Sequence, residues 1–129
     1  TVVINSNNQL LVENDYSDIS ELRKSAIEFL VNNGDGSCTY CQDGLRSPES
    51  SDNPFKAIMS IQNDKGTSYD MYIKVQNELV GAYEDLRNQL AQKKFGKDFA
   101  ELTDEAQISE VRDAFPQVIS EAEPLNIGG

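Results

Sequence analysis

With 129 residues, and 11 Lys and Arg against 22 Asp and Glu for a formal net charge of -11, the chain has the length of one domain, residues 1–129, and can bury a proper core. Its acidity excludes nucleic acid, whose phosphates it would repel, and it excludes docking on an anionic membrane surface. Histidine and tryptophan are absent, so there is no imidazole base, no Ser-His or Cys-His dyad and no histidine metal ligand.

No apolar run reaches the roughly 20 residues that cross a bilayer, and no secretory leader is visible. The chain opens directly on the β-branched run Thr1–Ile4, as expected of a domain whose natural start lies upstream. Asn5-Ser6-Asn7-Asn8 is turn-forming and leads into Leu10-Leu11-Val12, so the start reads as a β-hairpin. Asp18 with Glu21 three residues on has the spacing of a capping box. Ile19, Leu22, Ala26, Ile27 and Leu30 then give one apolar helix face that ends near Asn32-Asn33-Gly34. Gly34 to Pro54 is rich in Gly, Ser, Asp and Pro and reads as an exposed loop, either an insertion or mobile.

Ala57–Ile61 is a short run of buried-strand type, and Asn63-Asp64-Lys65-Gly66 is the turn after it. A long helix follows, with Thr67 expected as its N-cap and Asp70 in its first turn. Tyr72, Val75, Leu79, Ala82, Leu86 and Leu90 form its apolar stripe. Gly81 costs about 1 kcal/mol in a helix interior relative to Ala, and close packing against a sheet is the expected reason for it. After Lys93–Lys97 a further helix is expected, capped by Thr103, with Val111 and Phe115 inside and Pro116 as its stop; Gln117–Ser120 reads as a final short strand. The fold class is therefore α+β: a small mixed sheet with helices on one face, and a parallel crossover joining Leu10–Val12 to Ala57–Ile61.

Few residues form a chemical constellation. Cys38-Thr39-Tyr40-Cys41 has Cys-x-x-Cys spacing, but a thioredoxin-like motif sits after a strand and opens a helix, whereas this one lies in a loop. A structural zinc site needs four ligands, and no other Cys or His exists to complete one. A local disulfide is the reading for an oxidising compartment, against two free thiols. The acidic pairs Glu84-Asp85, Asp104-Glu105 and Glu121 with Glu123 read as solvated faces rather than acid–base pairs, and Asp35 and Asp64 lack the alternating spacing of a calcium loop. Tyr69, Tyr72 and Tyr83 fall along the long helix as core or as a recognition surface. A small sheet also has edges that accept a partner strand. No cofactor is called for.

The pattern Asp64-Lys65-x-x-x-Tyr69-x-x-x-x-Lys74-Val75-x-x-x-Leu79 resembles the periplasmic domain of the ExbD/TolR family, as does the upstream order of hairpin, Asp-rich step (Asn14–Asp18) and first helix. The likeness covers residues 1–92, and the wording of the central segment with the later FPQVISEAEP is similar to the longer ExbD proteins of the Bacteroidota. It implies a single-pass inner-membrane protein whose membrane helix, with a proton-responsive Asp, lies outside this sequence. It further implies ExbB-like and TonB-like partners, a homodimer, and a non-enzymatic role in passing the proton motive force to outer-membrane transport. Asp64, Tyr69, Lys74, Val75 and Leu79 would be structural residues of the family motif. Relative to short family members the 34–54 loop is an insertion and 93–129 a C-terminal extension. Val118, Ile119 and Ser120 would then be the displaced last strand, the candidate edge for dimer or partner pairing. The rival within the family is a TolR-like peptidoglycan-binding module; the rival from another class is a thiol oxidoreductase using Cys38.

Overall fold

The computed structural model describes residues 1–41, 45–47, 50–64 and 66–125. Lys65 of the motif and residues 126–129 of the C-terminal extension fall outside them. Five strands, β1 (Val2–Ile4), β2 (Leu10–Val12), β3 (Asp15–Ser17), β4 (Met59–Asp64) and β5 (Ile119–Leu125), form one mixed sheet in the order β3-β2-β1-β4-β5. Three helices accompany it, α1 (Ile19–Leu30), α2 (Tyr69–Phe95) and α3 (Glu105–Ala114), with a 3-10 turn at Phe99–Glu101. The class is α+β.

The hairpin β1–β2 forms because Asn5 folds the connection onto itself: its Oδ1 accepts from the amides of Asn7 and Gln9, and Asn8 takes the left-handed φ of 58° that asparagine tolerates. A second hairpin follows at once. Glu13 and Asn14 both have positive φ, 50° and 71°, the signature of a two-residue type I′ connection, and Val12 pairs with Asp15. The Asp-rich step is thus strand β3. The crossover through α1 delivers β4 beside β1, with Val2 aligned to Ile61, and not beside Leu10–Val12 as the sequence order implied. Both edges of β2 are already taken, by β1 and β3, so β1 offers the open side. β5 then adds parallel to β4, Met59 aligned with Ile119.

Strand alternation sends Val2, Ile4, Leu10, Met59 and Ile61 into the core, where each is buried. They meet Leu22, Ala26 and Leu30 of α1 and Val75, Leu79, Ala82, Tyr83, Leu86 and Leu90 of α2. Helix starts shift by one residue from expectation. Ser68, not Thr67, caps α2, its Oγ accepting from the Met71 amide at 3.1 Å, because the Thr67 hydroxyl is taken by Asn63. Asp104, not Thr103, caps α3 through the Ala106 amide at 2.8 Å. Asp18 caps α1 through Ser20. α2 runs past Leu90 to a left-handed Gly96, φ 69°.

Gly81 does not face the sheet. A Cβ there would lie 2.4 Å from the Arg23 guanidinium, which crosses from α1 to bond Glu78 at 2.9 Å and Asp85 at 3.5 Å. The missing side chain makes room for a cation between two carboxylates of α2.

The segment from Gly34 to Pro54 is not loose where it is described. Asn32 is buried, and its side chain replaces a backbone partner: Nδ2 donates to the carbonyls of Ser47 and Ser51, while Oδ1 accepts from the Ser47 amide. Asn33, also buried, does the same for Cys38, accepting from its amide at 2.9 Å and donating to its carbonyl at 3.1 Å. Gly34 fits only without a side chain, since a Cβ would sit 3.0 Å from the Ser51 carbonyl.

Two outcomes follow. Asn32→Asp turns a double donor into a carboxylate facing two carbonyls, and urea denaturation should show a loss of about 3 kcal/mol or more. Gly81→Ala should gain about 1 kcal/mol of helix propensity in an Arg23→Ala background. In the wild type that gain is offset by displaced ion pairs of about 0.2–1 kcal/mol each, so a double-mutant cycle by denaturation reads a coupling between the two positions.

Candidate docking edge

β5 is an outer strand of the sheet, and its attachment decides which backbone groups it shows to solvent. The Met59 amide donates to the Val118 carbonyl at 3.1 Å. Successive residues of a strand direct their N–H and C=O groups to opposite sides. Val118 and Ser120 therefore point toward β4, and Ile119 and Glu121 point away from it. Val118 is further occupied by Tyr83, whose hydroxyl accepts from the Val118 amide at 3.3 Å and faces its carbonyl at 3.4 Å. Of the three residues Val118, Ile119 and Ser120, only Ile119 presents its main chain outward. The strand begins at Ile119 rather than Gln117 and continues to Leu125, with an irregular register between Gln62 and Asp64.

One side of α2 runs along this edge. Tyr72 lies against Glu121, and Tyr83 lies at Val118. Tyr69, Tyr72, Gln76, Val80 and Tyr83 succeed one another at spacings of three and four, on one helix flank. Tyr83 is fully buried, Tyr72, Gln76 and Val80 are half-buried, and Tyr69 is 75% exposed. The three tyrosines thus divide between core and surface. Farther along the same helix this flank is covered: Arg87 donates to the Phe115 carbonyl from Nε (3.1 Å) and Nη2 (2.8 Å) and lies 5.7 Å over the Phe99 ring.

The residues from Asp64 to Leu79 separate in the same way. Val75 and Leu79 are fully buried core, while Lys74 and Tyr69 are exposed. Asp64 ends β4, its carbonyl accepting from the Thr67 amide. Of the acidic pairs, Asp85 faces Arg23, Asp104 caps α3, and Glu84 and Glu105 are exposed. The side chain of Glu123 is outside the described residues. Among the described residues no three His, Cys, Asp or Glu side chains gather as metal ligands, and no helix is long and apolar enough to cross a membrane.

Concavities lie elsewhere among the described residues. One of about 250 Å³ is lined mainly by apolar residues such as Val2, Val12, Leu22 and Phe29; a wider groove of about 880 Å³ runs between α1, α2 and Phe115. Tyr40, whose pKa burial raises, lines the wider groove. Cys38 and Cys41 form a disulfide outside any helix, so Cys38 lacks the helix N-terminus that lowers a thiol pKa in the redox motif.

Electrostatics at the edge centre on Tyr72. The Glu121 carboxylate beside its hydroxyl, with burial adding, pushes its pKa from 10.0 up to about 12. The protonated pair therefore contributes stability that is present below pH 10 and lost as pH rises through about 12. Glu121→Gln should move Tyr72 ionisation back toward that of a free tyrosine, read by alkaline titration of the assigned ring resonance.

Comparison of the chain with protein-family models, with curated proteins and with solved structures returned no match.

Proposed function

We propose that this chain is the periplasmic coupling domain of an ExbD-like stator subunit. In this reading it belongs to a proton-motive-force-driven system with ExbB-like and TonB-like partners that energises outer-membrane transport, and the full-length protein is held in the inner membrane by a helix outside this sequence. The domain is non-enzymatic and acts by recognition. The observation that carries the reading is β5, an outer strand whose Ile119 and Glu121 backbone groups face away from the sheet beside the Tyr69–Val80 flank of α2. An extended segment pairs there by strand addition, with main-chain bonds giving affinity and the α2 flank reading alternate side chains. Glu121 and the net charge of -11 favour a segment bearing Lys or Arg. Homodimer pairing draws on the same outward groups, so a dimer and a docked partner exclude one another on one edge.

The test uses peptides tiling the periplasmic linker of the TonB-like protein from the same cell, titrated into the labelled domain. One of them should shift the amides of Ile119 and Glu121. Glu121→Pro removes an outward donor without touching the β4 ladder, as proline is tolerated on an outer strand. Against Glu121→Gln, which lacks the carboxylate but keeps the amide, it should weaken binding about tenfold, the worth of one main-chain bond, at an unchanged helical circular dichroism signal. Capture of the domain by purified cell-wall sacculi, with no peptide shifting β5, would replace this reading by the TolR-like one.

A further inference from the structure

We propose that the Cys38–Cys41 disulfide is a redox-operated latch on the junction between α3 and β5. The disulfide closes a loop of four residues whose third member, Tyr40, reaches across to the C-terminal end of α3. Its hydroxyl donates to the Ala114 carbonyl at 2.5 Å, and its ring meets Phe115 edge to face, centroids 5.3 Å apart. At the other end Asn33 clamps both backbone groups of Cys38. A continuous path thus runs from the end of α1 through Cys38 and Tyr40 to Ala114 and Phe115. Three residues farther on, Val118 starts the pairing of β5 with β4.

With the cross-link closed, the chain is held on both sides of Tyr40, at Cys38 and at Cys41, and the Tyr40 contacts require little further ordering. With it open, the same contacts must overcome the conformational entropy of a freed segment. The two sulfurs are unequal. Cys38 is 5% exposed and Cys41 is half-buried, so an external dithiol attacks Cys41 Sγ. The S–S bond breaks, Cys38 Sγ leaves as a thiolate and takes up a proton. The second thiol of the reductant then resolves the mixed disulfide and releases Cys41 as a thiol. Two electrons and two protons pass from the dithiol to the protein, and the dithiol becomes a disulfide. Reduction loosens Tyr40, and with it the segment that leads into the outer strand.

Amide hydrogen exchange on the oxidised chain and on the chain reduced with dithiothreitol tests the latch. Reduction should speed exchange between Ala114 and Glu121 about tenfold, as for loss of one local anchor, and leave the β1–β2 hairpin and the centre of α2 unchanged. Tyr40→Ala in the oxidised protein should give the same local pattern, and Tyr40→Phe, which keeps the ring but not the hydroxyl, a weaker one. Unchanged exchange in β5 on reduction would overturn the proposal, as would a uniform increase throughout the domain, the mark of a disulfide that only supports global stability. A consequence for partner docking rests on β5 being the docking edge. Exchange on the isolated chain does not, so local loosening without altered peptide binding would reject the docking reading and keep the latch.

Discussion

The seating of β5 on the sheet turns on the hydroxyl of Tyr83. Its side chain is fully buried on α2, and burial raises the phenol pKa, so it stays protonated and can accept and donate at once. It does both at Val118. A buried tyrosine hydroxyl without partners costs about 1–3 kcal/mol, and Val118 is where that demand is met. Once Val118 is fixed, its carbonyl is set to receive the Met59 amide, and the register of the whole β4–β5 pair follows. Arg87, one turn along the same helix, holds the Phe115 carbonyl. Two polar side chains of one helix therefore position the strand that follows a separate helix.

Buried amides solve the corresponding problem at the other end of α1. A long connection on a small core cannot form ladders, yet its buried backbone groups need partners. Asn32 and Asn33 supply donor and acceptor together, which no apolar residue in the same volume does. The result is a connection organised by side-chain bonds to Ser47, Ser51 and Cys38. Its firmness comes from those bonds and the disulfide, together with the packing of Tyr40 on Phe115. This arrangement also explains why Gly34 borders the asparagines: the Ser47 and Ser51 carbonyls, both within 3.1 Å of where its Cβ would be, leave no space.

What was legible in the chain is what apolar periodicity encodes. The stripe Val75, Leu79, Ala82, Leu86 and Leu90 predicted α2, and Asp18 predicted the start of α1. What periodicity does not encode was misread. β3 has a single large apolar residue, Tyr16, and that one is exposed, so only the paired positive-φ residues Glu13 and Asn14 mark it. The place of β4 beside β1 depends on which strand still has an open side, a property of the assembled sheet. β5 is an outer strand rich in Glu with a Pro, a composition that propensity rejects and an edge allows. Asn32 and Asn33 resemble a helix end in sequence and become central only when the chain folds back on them. At the docking edge, Ile119 was legible as strand, but the commitment of Val118 to Tyr83 was not, because the two lie 35 residues apart.

The features that complicated the reading of β5 also bear on its role. An outer strand with free backbone groups invites indiscriminate pairing, and proteins restrain this with charge and proline along the edge. Glu121 and Glu123 with Pro124 place both on this strand. A second copy brings the same net charge of -11 to this edge, so its pairing there is weaker than that of a basic extended segment. Such a guard selects by sign. If β5 docks a partner, the Glu121 carboxylate beside the outward backbone groups favours a basic strand over a second copy of this acidic chain, and specificity needs no pocket.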